Sequence, residues 1–477
     1  MKKILFITIL LVSHHILMAQ KNYQPNWESL DSRKNPEWFA DAKFGIFIHW
    51  GLYSVPAWGP TDRDFKTDVG DDWQKRIGMR YAEWYWQRIN SPGLENDFGY
   101  DLFLEHQEKV YGKGSRYEDF VSGFTAQMFN PDQWAELFKN AGAKYIVLTS
   151  KHHEGFALWP SPQSWNWNAM DVGPHRDLLG DLTASVKAQG LKMGYYYSLM
   201  EWYNPLFTTE TIDRYVDEHM IPQMKDLVTR YKPDLLWGDG QGNYPSTTWK
   251  MPQFMAWLYN ESPVKETIII NDRWGNDTWA KHGGYLTAEY GLLGDQMMGT
   301  EVIQRPWEEC KGIGYSFGYN KNENLEDYAT SEQLVHDLIM KVAMGGNLLL
   351  NIGPTAEGII PVIMQQRLTD MGAWLKVNGE AIYGTRNWGK APAITNQTSN
   401  FFTKKVNDLF LIVTKWPDKI IEINGIGKAG LISMLGYSGK VKYTLSGNSV
   451  AITFPEVNPA NNPCQYAWVI KIKDVFK

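Results

Sequence analysis

Six short segments of the chain end in residues able to do chemistry. They are His49-Trp50-Gly51, Lys151-His152-His153-Glu154, Tyr195-Tyr196-Tyr197, Trp237-Gly238-Asp239-Gly240, Asn271-Asp272-Arg273-Trp274 and Thr287-Ala288-Glu289-Tyr290. Asp239 follows an apolar run and stands between two glycines, which let the backbone approach a ligand closely. Its carboxylate suits a nucleophile, or a turn Asp that satisfies backbone N–H groups. Glu289 ends a second short run. Two carboxyls on one cavity, one ionised and one protonated, are the equipment of glycoside hydrolysis. The alternative for Glu289 is a rim residue paired with Arg273. Glu83, Glu154, Glu201 and Glu301 compete with it for the same role. His49, His152 and His153 suit hydrogen bonding to ligand hydroxyls or packing in the core. A metal is not expected: side chains of adjacent residues on an extended segment point oppositely, so His152 and His153 do not readily share one ion. Trp84, Trp237 and Tyr196 offer a ring platform or a phenol, or core packing.

Such residues need a rigid frame. From about residue 35 to 384, short apolar runs alternate with helical patterns. Strands are expected at Phe44–Trp50, Lys144–Ser150, Leu191–Ser198, Asp234–Trp237, Thr267–Asn271, Tyr285–Glu289 and Asn347–Ile352. Helices are expected at Asn35–Lys43, Asn130–Ala143, Leu178–Gln189, Ile212–Tyr231, Phe254–Asn260, Glu332–Met344 and Val362–Val377. Repeated strand–helix units with apolar strands imply a parallel sheet covered by helices, and this many units favour an α/β fold of (β/α)8-barrel type. In such a barrel the working residues lie where strands end, as the six segments do. Residues 59–120 read as an irregular, aromatic excursion above the barrel. After about Thr385 the pattern changes to short alternating runs, including FFTKKVNDLFLIVTKWP and YAWVIKI, separated by turn residues. That implies a small all-β sandwich over 386–477, leaving 21–385 for the catalytic barrel.

Composition narrows the function. The 477 residues carry 47 basic and 53 acidic side chains and no basic run, which argues against nucleic acid as a partner. Trp, Tyr and Phe number 22, 25 and 20, a richness that suits stacking on the flat C–H faces of sugars. Lys2-Lys3, the apolar stretch Ile4–Val12 and Met18-Ala19-Gln20 read as a signal peptide over residues 1–20. The mature protein is therefore expected to be exported, periplasmic or secreted, and not membrane-bound. Cys310 and Cys464 are too few and too far apart for a disulfide framework.

The motifs FGIFIHWGLYSVPAW (44–58), AEWY (82–85), AKYIVLTSKHHEGF (143–156), GYYYSLMEW (194–202), LLWGDG (235–240), NDRWG (271–275), TAEYG (287–291), WEEC (307–310), GYSFGYN (314–320) and GGNLLLNIGPTAEGIIP (345–361) occur in this order. Together they resemble the α-L-fucosidases of glycoside hydrolase family 29. The resemblance implies an exo-acting, retaining enzyme that removes terminal α-L-fucose from fucosylated glycans without a cofactor or metal. It implies Asp239 as nucleophile and Glu289 as general acid/base. His49, Glu83, Trp84, His152, His153, Tyr196, Trp237, Arg273 and Phe317 are the implied substrate contacts, with Tyr195 and Tyr197 leaving the register of Tyr196 open by one. Three positions depart from the common family pattern: Glu154 stands for Asp, Ala288 for Pro and Phe317 for Trp. None removes a catalytic group.

Overall fold

The computed structural model describes residues 22–61, 80–90, 100–293, 296–297, 305–389, 400–417 and 420–476. The expected signal segment 1–20 and Glu301 lie outside the described residues. Eight parallel strands form one curled sheet: β1 (Phe44–Ile48), β2 (Tyr145–Lys151), β3 (Lys192–Ser198), β4 (Leu235–Asp239), β5 (Ile269–Ile270), β6 (Leu286–Glu289), β7 (Trp307–Gly312) and β8 (Asn347–Ile352). Their order is β5-β4-β3-β2-β1-β8-β7-β6, with every neighbouring pair parallel. This is the expected barrel, curled but not laced shut. Between β5 and β6 the ladder gives way to side-chain bonds. The Asp272 carboxylate accepts from the Thr287 N–H (3.1 Å) and hydroxyl (2.6 Å), and Arg273 Nε donates to the same hydroxyl (2.9 Å).

Alternation along each strand sorts side chains into two layers. Ile46, Ile48, Ile146, Leu148, Tyr195, Tyr197, Leu348 and Leu350 face out and pack in the main apolar core with the helices. Phe47, Tyr145, Val147, Tyr196, Trp237, Ile269, Cys310 and Leu349 form a separate core inside the curl.

Helix signals are realised where capping is explicit. Asn130 accepts from the Gln133 N–H at the head of Pro131–Asn140, and Asp177 accepts from the Gly180 N–H at the head of Leu178–Ala188. Two expectations need correction. The helix expected over Ile212–Tyr231 is interrupted: Tyr215–Met220 is a π-turn between Ile212–Arg214 and Ile221–Tyr231. Pro222 has no N–H to give the preceding turn, and the wider turn absorbs that loss. Residues 59–120 are not simply irregular, since α-helices run over Tyr85–Asn90 and Tyr100–Tyr111. Strand β7 was not expected at all, because WEECKG is too polar to read as a buried strand. It is held by bonded charges: Glu308 points inward to Trp237 Nε1 (3.1 Å) and the Tyr145 hydroxyl, and Glu309 outward to Lys341.

The C-terminal module pairs a five-stranded antiparallel sheet with a three-stranded one. In Asp408–Val413 the side chains alternate. Phe410 and Ile412 join the barrel's helical core, and Leu409, Leu411 and Val413 join the core between the two sheets. Trp374 Nε1, from the last barrel helix (Val362–Asn378), donates to the Ala467 carbonyl (2.8 Å). Among the described residues no helix is long and apolar enough to cross a membrane.

Candidate active site

The strand ends open into a cavity of about 300 Å³. It is lined by His49, Glu83, Trp84, His152, His153, Tyr196, Trp237, Asp239, Arg273, Glu289 and Phe317, so the structure brings the two implied catalytic carboxyls and the nine implied substrate contacts to one place.

Asp239 is the last residue of β4. The glycines around it have separate reasons. A Cβ on Gly238 would meet the Arg273 carbonyl oxygen and the Trp274 ring at 2.8 Å, and Gly240 adopts φ +78, the left-handed region. The strand can therefore stop and turn with its carboxylate bare. Asp239 Oδ2 accepts from the Tyr196 hydroxyl (2.8 Å) and lies 3.7 Å from His153 Nε2, and Oδ1 lies 3.5 Å from Arg273 Nη1. Burial works to raise its pKa. The Arg273 guanidinium, the Tyr196 hydroxyl and the Gly240 N–H oppose it and hold the pKa below the ordinary value. Its oxygens thus serve the pocket as well as the turn at Gly240.

Glu289 ends β6, and Tyr290 follows it at φ +46, a strained conformation for a bulky residue. Glu289 Oε2 accepts from Arg273 Nη1 (2.9 Å) and Oε1 from the Tyr81 hydroxyl (3.3 Å). The pairing with Arg273 that the sequence offered as the alternative is therefore present, but it occurs inside the cavity. One nitrogen, Arg273 Nη1, contacts both carboxylates. The contacted oxygens can be no farther apart than its two contacts, 3.5 Å and 2.9 Å, laid end to end. That places the two carboxyls close together across one cavity, a spacing compatible with the ~5–5.5 Å of retaining pairs. The guanidinium is buried, lies 4.9 Å over Trp237 and 4.7 Å over Trp279, and keeps Nη2 without a hydrogen-bond partner.

The histidines do not splay as expected. His152 and His153 sit beyond the end of β2 on a turn, with ring centroids 4.2 Å apart and both rings in the cavity. Two of the three histidines are held from behind through Nδ1. His49 Nδ1 lies 2.7 Å from Asn351 Oδ1, and Asn351 Nδ2 donates to the Phe317 carbonyl, which fixes the amide orientation. His153 Nδ1 lies 2.6 Å from Ser198 Oγ, whose own proton goes to the Met200 carbonyl. In both cases Nδ1 carries the proton, and Nε2 is left as an acceptor facing the cavity. Burial holds the pKa of His49 and His153 well below the ordinary value and that of His152 at about 3, so all three rings are neutral.

The aromatic register is settled by alternation. Tyr196 faces the cavity, 5.7 Å from Trp237 and 5.5 Å from His152, both stacked. Tyr195 and Tyr197 face outward and bond Thr183 and Gln223. Trp84 meets the His153 ring edge-on at 5.7 Å, and Phe317 lies 4.9 Å from His49. Glu83 is buried and accepts from the Ser316 hydroxyl (3.1 Å) and the Gly318 N–H (2.8 Å). Burial pushes its pKa up to about 7.

The competing carboxylates separate. Glu201 is tied to Lys151 (2.7 Å), His219 (2.8 Å) and Asn204 (2.7 Å). Glu154 lies behind His152. Sequence reasoning missed Phe47, Tyr81, Met200, Gln241, Asn243 and Cys310 on the cavity wall. Tyr81 adjoins the AEWY motif and could have been found there. Cys310 sits on the strand that went unrecognised.

With this geometry in hand, the comparisons are direct. The α-L-fucosidase family model matches residues 10–380, and the α-L-fucosidase C-terminal domain model matches 394–473. Tissue α-L-fucosidase of Mus musculus is 40% identical over 470 residues, 96% of each chain. The crystal structure of Thermotoga maritima α-fucosidase in complex with fucose has a TM-score of 0.75 at 36% identity, covering 94% of this chain and 100% of that one. The same enzyme in complex with a mechanism-based inhibitor gives 0.76 at 35% identity, with the same coverage.

Proposed function

The chain belongs to the α-L-fucosidases of glycoside hydrolase family 29, and we propose how the residues of its pocket divide the hydrolysis of a terminal α-fucoside among them. Asp239 attacks the anomeric carbon. Glu289 gives a proton to the departing oxygen, so the alcohol leaves neutral and a β-linked fucosyl–Asp239 ester forms. Glu289, now a carboxylate, takes a proton from water, which attacks the same carbon, releases α-fucose and restores Asp239. The anomeric configuration is inverted twice and so retained. The observation that carries this reading is the single Arg273 nitrogen in contact with both carboxylates, which keeps them close together on one cavity.

The remaining groups hold the sugar. His49 and His153 offer acceptor nitrogens to hydroxyls, and Tyr196 orients Asp239. Trp84, Trp237 and Phe317 supply rings against the C–H faces and the C6 methyl of fucose. Glu83, His152 and Arg273 complete the polar wall. A pocket that ends on these side chains suits the terminal sugar of a chain, hence exo action on fucosylated oligosaccharides or glycoconjugates. We read residues 21–385 as the catalytic unit and 386–477 as its β-sandwich support. Residues 1–20 serve as an export signal, on the strength of Lys2-Lys3 and the apolar stretch behind them, which places the enzyme in a periplasm or outside the cell.

The test is release of p-nitrophenol from its α-L-fucoside by the wild type and by Asp239→Gly, with azide added to the variant. The expected outcome is turnover, then its loss, then rescue with β-fucosyl azide as product. Turnover surviving in Asp239→Gly, or an α-azide, overturns the assignment of the nucleophile.

A further inference from the structure

Two of the three histidine anchors are settled by their own bonding; the third is not. Behind His152 stands Glu154, 1% exposed, with Oε2 3.6 Å from His152 Nδ1. That distance is too long for a hydrogen bond. Neither carboxyl oxygen of Glu154 finds a partner on another residue, and His152 Nδ1 finds none either. Buried polar atoms without partners are rare and costly, and here two kinds face each other across one small gap. Hydrogen bonds of this type are often long in a free site and tighten when ligand binds.

What closes the gap depends on the charge of Glu154. The groups around it are Tyr53 and Tyr117 from the turns after β1 and before β2, Lys151 and His152 from its own segment, and Tyr196 and Glu201 from β3 and the loop after it. The one permanent cation among them, Lys151, already donates to Glu201 (2.7 Å). Tyr117 Oη is also without a hydrogen-bond partner. No other residue in this shell donates a hydrogen bond to the carboxyl, and burial outweighs its own backbone N–H and the Lys151 charge and pushes the pKa of Glu154 up to about 8.

We propose that Glu154 is a positioning residue: as a neutral carboxylic acid it donates its proton to His152 Nδ1, so that His152, unlike His49 and His153, presents an N–H to the sugar. Three acceptors would all demand protons from the sugar's hydroxyls. Two acceptors and one donor match a hydroxyl that gives a proton to one ring and receives one from the next. The ring stays flat on Tyr196, 5.5 Å away and 9° from parallel, so the tautomer can be set without moving the ring. When Glu154 ionises it becomes an acceptor, His152 Nδ1 must carry the proton, and the donor toward the sugar is lost.

This inference rests on the sugar-binding role proposed above for the pocket. The test compares wild type, Glu154→Gln and Glu154→Met on the p-nitrophenyl α-L-fucoside from pH 5 to pH 9, with thermal melting of each. Gln can still donate to Nδ1 but cannot ionise. Wild type is expected to lose kcat/KM as pH rises through about 8; Glu154→Gln is expected to keep kcat/KM at pH 6 within about threefold and to lack that fall. Glu154→Met is expected to lose ~10- to 100-fold, chiefly through KM, the scale of one hydrogen bond left unmade in a polar site. If Gln and Met lose alike, or if the alkaline fall persists in Glu154→Gln because Glu83 carries it, the proposal is overturned. Glu154→Gln and Glu154→Met melting alike while differing in KM separates positioning from a purely structural role. A failure of the pocket reading would show independently, as turnover surviving in Asp239→Gly.

Discussion

The mouth of the barrel and the core of the C-terminal sandwich are built from the same alternating strands, yet they bury opposite things. Between the two C-terminal sheets lie Leu409, Leu411, Val413, Ile423, Val450, Ile452, Ile470 and Ile472, all apolar and nearly all fully buried. Around the mouth of the barrel lie Glu83, His49, His152, His153, Glu154, Asp272 and Arg273, all 4% exposed or less. The first region gains stability from transfer of carbon out of water and tolerates imprecise partners. The second forgoes part of that gain, because each buried charge or dipole must be matched by a partner. What it gains is a set of groups whose charge and proton positions are fixed before substrate arrives. The strained Tyr290 beside Glu289 and the orphaned Arg273 Nη2 and Glu154 belong to the same region.

The contrast can be sharpened by three measurements. The largest effect is expected at the mouth. Glu289→Gln should lower kcat/KM by ~10²–10⁴-fold on fucosides whose leaving alcohol needs a proton. On fucosyl fluoride, which departs without one, it should lose far less. Equal losses on both substrates would mean that Glu289 acts by something other than proton transfer. In the sandwich, Leu411→Ala should cost ~2–5 kcal/mol of stability by leaving a cavity, with kcat unchanged per folded molecule. A fall in kcat at full folding would show that the module shapes the site as well as supporting the barrel.

The smallest effect is one of pH. Burial raises the pKa of Glu83 and Glu308 to about 7 and of Glu154 to about 8. A raised folded-state pKa contributes stability that is complete below the ordinary carboxylate value and is lost as pH rises through 7 to 8. His152, depressed to about 3, does the reverse: its contribution is present above ~6.5 and is lost as pH falls toward 3. The barrel should therefore lose stability between about pH 4.5 and 8, by up to ~1.4 kcal/mol per pH unit for each carboxyl within its own window, and level off above that. The sandwich core has no such group. Amide exchange by mass spectrometry on the whole chain, corrected for intrinsic rate, should show protection falling in β1–β4 and holding in Asp408–Val413. Parallel decline in both would erase the contrast.

Much of this protein was legible in its amino acids. The apolar runs with turn residues between them fixed seven of the eight barrel strands, because a strand buried on both faces has to be apolar. The Gly-Asp-Gly step after Leu235-Leu236-Trp237 marked Asp239, because only glycine allows the close approach of Trp274 and the left-handed turn that follows. The motifs named the family, and the eleven residues they implied for the site meet in one cavity. Other features had no local signal. Strand β7 is polar in sequence and is stable only because Trp237, Tyr145 and Lys341 reach it from elsewhere in the chain. His152 and His153 share a cavity because β2 ends before them, a boundary that pairing with β3 sets. That Tyr196 and not Tyr195 faces inward follows from register. The sharing of Arg273 by Asp239 and Glu289 joins three strand ends that are 34 and 16 positions apart in sequence, and the gap between Glu154 and His152 opens through the turn between them. Sequence determined which groups are present and which strands carry them. Distance, tautomer and proton affinity came only from folding, because each depends on neighbours that the chain brings together from far apart.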